Sequence, residues 1–266
     1  LYSSNSGINI YKIQVDSSAS SGSGSSSSGS STTDTSNGTV VTSFSELTAA
    51  VTKAEKAGGG IVYVKGSSIS CTAQLALKAS NANVSIIGVK NSDGTYPVLD
   101  FSAFRSAYIG KATTDSEVGI RISGSNYTIK NLIIQKAPDN GIQIKGSSAG
   151  NNTIENCMVR YNNDAGVQIT GGAYSNTMRF VYSYRNCDVY TLGGNADGFA
   201  PKLGAGKGNV FYGCYSWENS DDGWDSYDKD SLTYNLTYTN CACWNNGDPT
   251  IFTGEYDYNN GNALDT

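Results

Sequence analysis

The sequence predicts an all-β chain wound as a parallel β-helix, and three observations carry that expectation. Gly119-Ile120-Arg121-Ile122, Gly141-Ile142-Gln143-Ile144 and Gly166-Val167-Gln168-Ile169 repeat one pattern, with starts 22 and 25 residues apart. Gly198 and Gly223 continue it, again 25 apart, after one longer coil. A second series runs through 127–132, 153–157, 209–214 and 236–241, each segment a brief β run ending at an Asn or Gly turn. The period is in the 20–30 range and contains no helical pattern, which fits stacked β coils. A leucine-rich solenoid would need a denser leucine scaffold, and a propeller blade is longer.

The elements follow in order. Alternation from Ile8 to Val15 reads as one strand, so 1–15 is expected to be the remnant of a preceding β module. Residues 16–38 are almost pure Ser, Gly and Thr; they lack the apolar side chains that offset ordering entropy and read as a linker. The β-helix domain is expected over 39–266. At its start Ser43 stands three residues before Glu46, a capping pattern. Leu47, Val51 and Ala54 follow at helical spacing, and Gly58-Gly59-Gly60 ends the run. This short amphipathic helix is expected to cover the open end of the solenoid, which would otherwise expose strand edges and core. Ile61-Val62-Tyr63-Val64 then begins strand structure, and the repeat proper is read from Val118. Asn131, Asn156 and Asn240 are expected to stack at one inward turn, their amides bonding the backbone of adjacent coils.

Composition narrows the partners. The 266 residues carry 18 basic and 23 acidic side chains, a net charge of -5, with no long basic stretch, so nucleic acid is not expected. Charged residues are only 15%, while 18 tyrosines and many Gly, Asn, Ser and Thr suit a turn-rich β surface facing polar polymers. No apolar run is long enough to span a membrane. Histidine is absent, which excludes His-Asp relays and His-ligated zinc. Cys187, Cys214 and Cys241 recur every 27 residues and Cys157 lies 30 earlier; without close pairs they read as small buried residues stacked between coils, any disulfide pairing being left open.

The chemistry concentrates in one place. Asp197 is followed 24 residues later by Asp221-Asp222-Gly223-Trp224-Asp225. Coils of this length set such positions side by side, about 4.8 Å apart. Four carboxylates there would repel unless a cation neutralised them, and calcium, which takes six to eight oxygens in loose geometry, suits them better than magnesium. Trp224 is either a surface platform for sugar rings or core. Asp139, Asp164 and Asp188 recur near turns with no acidic cluster expected beside them. Asp228-Lys229-Asp230 reads as a solvated turn, and Glu255, Asp257 and Asp265 lie near the end of the chain. Asp221 and Asp222 could alternatively be the acids of a glycoside hydrolase.

Asn195-Ala196-Asp197-Gly198-Phe199-Ala200-Pro201-Lys202, Gly206-Lys207-Gly208-Asn209, Gly213-Cys214 and Asn219-Ser220-Asp221-Asp222-Gly223-Trp224-Asp225 together resemble family 9 polysaccharide lyases. The resemblance is strongest over 195–225, and coil architecture extends it over 39–266. It implies a right-handed parallel β-helix of the pectin lyase-like kind, and a secreted pectate lyase cleaving polygalacturonate by β-elimination to 4,5-unsaturated uronides. It assigns calcium to Asp197, Asp221, Asp222 and Asp225 and gives Lys202 a contact with substrate carboxylates. The base implied is a lysine on a later coil in a Gly-Phe-Lys-Leu-like setting. No such segment follows Asp225, so the domain is expected to be truncated before its base, and the catalytic residue is left unknown. A monomer within a multimodular protein is expected. The alternatives are a polygalacturonan hydrolase on a similar helix and a noncatalytic, calcium-stabilised carbohydrate-binding solenoid.

Overall fold

Three parallel sheets, wound in succession, form the body of the molecule. The computed structural model describes residues 33–108, 113–188, 191, 193–227, 236–252, 256–257 and 262–263. The strand read in 1–15, the linker up to residue 32, and Lys229 with its flanking aspartates lie outside the described residues, as do Glu255 and Asp265.

Each full coil contributes a strand to each sheet in turn. Counted over the described residues, sheet I has eight strands, among them Tyr127–Lys130, Thr153–Glu155, Thr177–Arg179 and Val210–Tyr212. Sheet II has seven, including Ile133–Gln135, Met158–Arg160, Tyr182–Tyr184 and Tyr215–Trp217. Sheet III has five: Leu75–Leu77, Ile120–Ile122, Ile142–Lys145, Val167–Thr170 and Phe199–Pro201. The coil is right-handed, the hand that parallel crossovers favour.

Register explains the repeat. Ile142 pairs with Ile120 on one side and Val167 on the other, and Val167 pairs with Phe199, so one core position is filled coil after coil. Ile86, Ile129, Ile154, Met178 and Phe211 form the matching buried column of sheet I. Each such side chain contributes roughly 1.5–3 kcal/mol by burial. In sheet II the inward column changes from Ile134 and Val159 to Ser183 and Ser216. There Gly166 and Gly198 approach so closely that a Cβ on either would lie 1.9 Å from the hydroxyl of Ser183 or Ser216 respectively. The small residues let the segment carrying Asp197, just before Phe199–Pro201, close onto the next coil.

The capping helix spans Phe44–Lys56, buries Leu47, Ala50 and Val51, and packs on the first strands of sheet I. Ser43 Oγ accepts from the Glu46 N–H at 3.3 Å, while Glu46 reaches back to the Thr42 N–H at 2.8 Å, one residue earlier than a simple capping box. Gly58, at φ 76°, ends it.

Several expectations need correction. Coil structure begins at Gly60–Val64, where strand structure was expected, and so precedes the motif read from Val118; the early coils lack the Gly-Ile-x-Ile signature and carry an insertion between Val98–Asp100 and Ile120–Ile122. Asn131, Asn156 and Asn240 are not the inward ladder. They hold left-handed turn positions, φ 60°, 51° and 54°, which Asn tolerates, and Asn156 bonds Asn131 side chain to side chain at 2.8 Å. The buried ladders are Asn152–Asn176–Asn209 and Asn162–Asn186–Asn219, the latter extended by half-buried Asn246. Cys187 leaves the cysteine series, since it follows sheet II beside Asn186, whereas Cys157, Cys214 and Cys241 follow strands of sheet I. All six cysteines are free. Trp224 is core: it is 6% exposed and stacks on Phe199 with centroids 4.8 Å apart.

Candidate metal centre

The corner between sheets II and III, beside the second asparagine ladder, holds the acidic residues. Asn186 Nδ2 donates to Asn219 Oδ1 at 2.8 Å, which ties the turn just before Asp221 to the previous coil. Gly198 N–H donates to the Asp222 carbonyl at 2.9 Å and Phe199 N–H to that of Gly223 at 3.1 Å. These bonds put Asp197 and Asp222 in register on successive coils.

Carboxylate oxygens of Asp197, Asp221 and Asp222 all lie within 4.8 Å of one another. Oxygens on one calcium at about 2.4 Å can be separated by up to about 4.8 Å, so the three fit a shared ion of that size with a hard-oxygen donor set. Asp197 is fully buried, and its Oδ1 accepts the Asp222 N–H at 3.2 Å. Asp221 Oδ2 accepts the Asn195 N–H at 2.7 Å. Asp225 stands apart from the trio. Its Oδ2 accepts from Lys202 Nζ at 2.7 Å and its Oδ1 from the Tyr227 N–H at 2.8 Å. Lys202 also donates to Asp197 Oδ2 at 2.8 Å, so this lysine joins the trio to Asp225.

Electrostatics follow from that crowding. Burial pushes the Asp197 carboxyl up to about 7; Lys202 opposes the rise, and Asp225 and Asp221 add to it. Burial, then Asp221 and Asp225, raise Asp222 as well. For Lys202 burial acts downward, but the Asp197 and Asp225 carboxylates outweigh it and hold the ammonium above the ordinary lysine value. An acidic pocket of this kind takes up positive charge, and Lys202 supplies one unit of it.

A cleft of about 490 Å³ opens beside the acids, lined in part by Asp164, Gln168, Lys202, Asp222, Asp225 and Tyr227. The sequence reading passed over Gln168 and Tyr227. It also took Asp139, Asp164 and Asp188 as isolated. Burial raises Asp139, with Asp188 and Asp115 adding to the rise, and burial raises Asp164 well above its ordinary value, with Asp139 and Asp188 adding to it. The signal was available: Asp139, Asp164 and Asp221 each stand two residues before a glycine of the repeat, Gly141, Gly166 and Gly223.

Comparison with known proteins bears on this site. A family model described as "Pel9A-like, right handed beta helix region" matches residues 28–264. Pectate lyase L of Paenibacillus polymyxa (strain SC2) is 34% identical over 191 residues, covering 69% of this chain and 40% of that protein. Pectate lyase L of Dickeya chrysanthemi is 31% identical over 141 residues, 53% of this chain and 27% of its own length. The crystal structure of pectate lyase Pel9A superposes with a TM-score of 0.60 at 28% identity, covering 77% of this chain and 48% of that one. The chain thus spans less than half the length of these relatives.

Proposed function

The chain belongs to the Pel9A-like right-handed β-helix family, and we propose that it forms the metal-binding portion of a secreted, calcium-dependent pectate lyase. The observation that carries this reading is the mutual approach of Asp197, Asp221 and Asp222 within 4.8 Å. The pectate lyase relatives support the substrate class, an acidic polysaccharide such as polygalacturonate.

In this reading Asp197, Asp221 and Asp222 hold the ion, and Asp225 completes the set when Lys202 releases it. When bound, calcium supplies positive charge to a uronate carboxylate and thereby acidifies the proton on C5. The residues divide the remaining work. Buried Asp197 fixes the ion's position relative to sheet III. Lys202, with its ammonium in the cleft wall, takes a carboxylate of the polymer and orients the sugar. Loss of the C5 proton and of the C4 oxygen gives a 4,5-unsaturated end without consuming water. The group that removes that proton is not assigned among the described residues. Among those residues, no helix is long and apolar enough to cross a membrane.

The test is an assay of the full-length protein on polygalacturonate, following ultraviolet absorbance of the unsaturated product with calcium and with chelator. The reading expects absorbance to grow with calcium and to stop with chelator. New reducing ends without absorbance would make the protein a hydrolase, and binding without cleavage would make it a carbohydrate-binding module; either result overturns the proposal.

A further inference from the structure

From the cleft beside the acidic trio a row of polar side chains runs toward the N-terminus along the outer face of sheet III. Gln168, which lines the cleft, accepts from Gln143 Nε2 at 2.5 Å one coil earlier. Gln143 in turn accepts from Arg121 one coil earlier again. Lys145 pairs in register with Thr170, and Lys202 N–H donates to the Ile169 carbonyl, so Lys145 and Lys202 occupy one outward column two coils apart. Side chains able to bind an anion therefore recur along the path that leads from the trio.

At the far end of that path sits a carboxylate that belongs to the chain itself. Asp115 accepts from Lys145 at Oδ2, and Gln143 Nε2 donates to its Oδ1 at 3.0 Å. Arg121 NH1 lies 3.5 Å from the same Oδ1. The two halves of this contact differ in kind. Arg121 and Lys145 project from paired strands, and the Arg121 side chain is only 17% exposed. Asp115 comes from the loop before Ile120–Ile122, and its side chain is 44% exposed. Burial raises the Asp115 carboxyl, but hydrogen bonds from Lys145 and Gln143 and the charges of Arg121 and Lys145 outweigh it, so it stays ionised below the ordinary range. A framework-held cradle of one guanidinium, one ammonium and one amide, filled by a loop carboxylate, is the chemistry that recognises a carboxylate ligand.

We infer that Arg121, Gln143 and Lys145 form a distal carboxylate subsite, that Asp115 occupies it as a tethered stand-in, and that a uronate residue of a long acidic polysaccharide displaces Asp115. This rests on the proposed polyuronate substrate. The spacing fits: a 1,4-linked chain lying along the helix axis advances roughly one pyranose ring per coil, both steps being on the order of 5 Å. A sugar two units from the one held at Lys202 then brings its carboxylate to Lys145. A neutral sugar or a methyl ester at that unit brings no charge and leaves Asp115 in place. The loop thus sets a length and charge threshold on binding at the N-terminal end of that row of side chains.

The experiment compares kcat/KM of the full-length protein in calcium on fully de-esterified oligogalacturonates of two units, too short to reach from Lys202 to Lys145, and of eight units, for wild type, Asp115→Asn and Lys145→Gln. Thermal melts of each variant are run alongside. The expected result is an octamer-to-dimer ratio raised about 2–5-fold in Asp115→Asn and lowered by a similar factor in Lys145→Gln, in keeping with a partly exposed ion pair. A purely structural Asp115 would lower the melting temperature and change both oligomers by one factor, leaving the ratio fixed; that overturns the inference. A wild type that cleaves both oligomers with ratios unaltered by either variant overturns the subsite alone. A wild type that cleaves neither removes the pectate lyase reading and the subsite together.

Discussion

Lys202 Nζ donates to the fully buried carboxylate of Asp197 at 2.8 Å, the two residues flanking the strand Phe199–Pro201. The lysine thus holds part of the positive charge that the acidic trio attracts, and an ion bound there would share or replace it. Replacing Lys202 by Met removes the counter-ion of Asp197 and Asp225 together. Unpairing a buried charge costs about 3 kcal/mol. Denaturation in chelator at pH 8 is expected to show that loss, and saturating calcium is expected to recover most of it. An equal loss under both conditions would mean that Lys202 and the ion do not compete for the same carboxylates.

The glycine after Asp197 is a packing requirement. A methyl at Gly198 would meet Ser216 Oγ at 1.9 Å and Asn219 Nδ2 at 2.9 Å. Gly198→Ala is expected to cost about 1–3 kcal/mol, the usual range for overpacking. It should also weaken calcium binding, because the shift falls on the residue next to Asp197. Calorimetric titration beside urea denaturation reads both quantities. A destabilised variant that binds calcium normally would separate the packing from the site.

Asn186 supports the corner from beneath. Its Oδ1 accepts from the Asn162 N–H at 3.1 Å and from Asn162 Nδ2 at 2.9 Å, and its Nδ2 donates to Asn219. Asn186→Ala strands buried donors and an acceptor, each costing about 1–3 kcal/mol. A fall in melting temperature larger than that of Asn156→Ala, whose bond lies at a half-buried turn, is the expected outcome.

The fold and the site were legible to different depths. The sheet III pattern of Gly-Ile-x-Ile was readable because one core position repeats at a nearly fixed period, and the same period brought Asp197 to Asp221 and Asp222. The coils from Gly60 to Asp100 were not, since insertions break their period and their inward residues share no signature. Asn131 and Asn156 misled because an asparagine serves a left-handed turn as well as a buried ladder, and only burial separates the two uses. Asp225 could not be resolved from spacing: its place beside Lys202 depends on side-chain direction past the Gly223 turn. Trp224 was ambiguous for a similar reason, and its stacking on Phe199 decides it.

Asp139 gives the metal-free protein a pH dependence. Burial first, then the charges of Asp188 and Asp115, raise its carboxyl above the ordinary value of 3.8, against hydrogen bonds from Thr113 and Asn140 that lower it. The folded state therefore binds the proton more tightly than the unfolded chain. Its contribution is fully present below the unfolded value and is lost as pH rises through the raised folded value. Urea denaturation in chelator from pH 4 to 8 is expected to show stability falling with pH. Asp139→Asn should flatten that slope and be the more stable of the two proteins at pH 8. A difference between the two proteins that stays constant with pH would refute the assignment.

The central claim is that two successive coils share one cation through Asp197, Asp221 and Asp222. Calorimetric titration of calcium into the full-length protein, wild type and Asp222→Asn, tests it most directly. The account predicts one ion at this centre in the wild type and an affinity at least about tenfold weaker in the variant, equivalent to ~1.4 kcal/mol. Calcium binding of equal strength in both proteins, or none in the wild type, would contradict it.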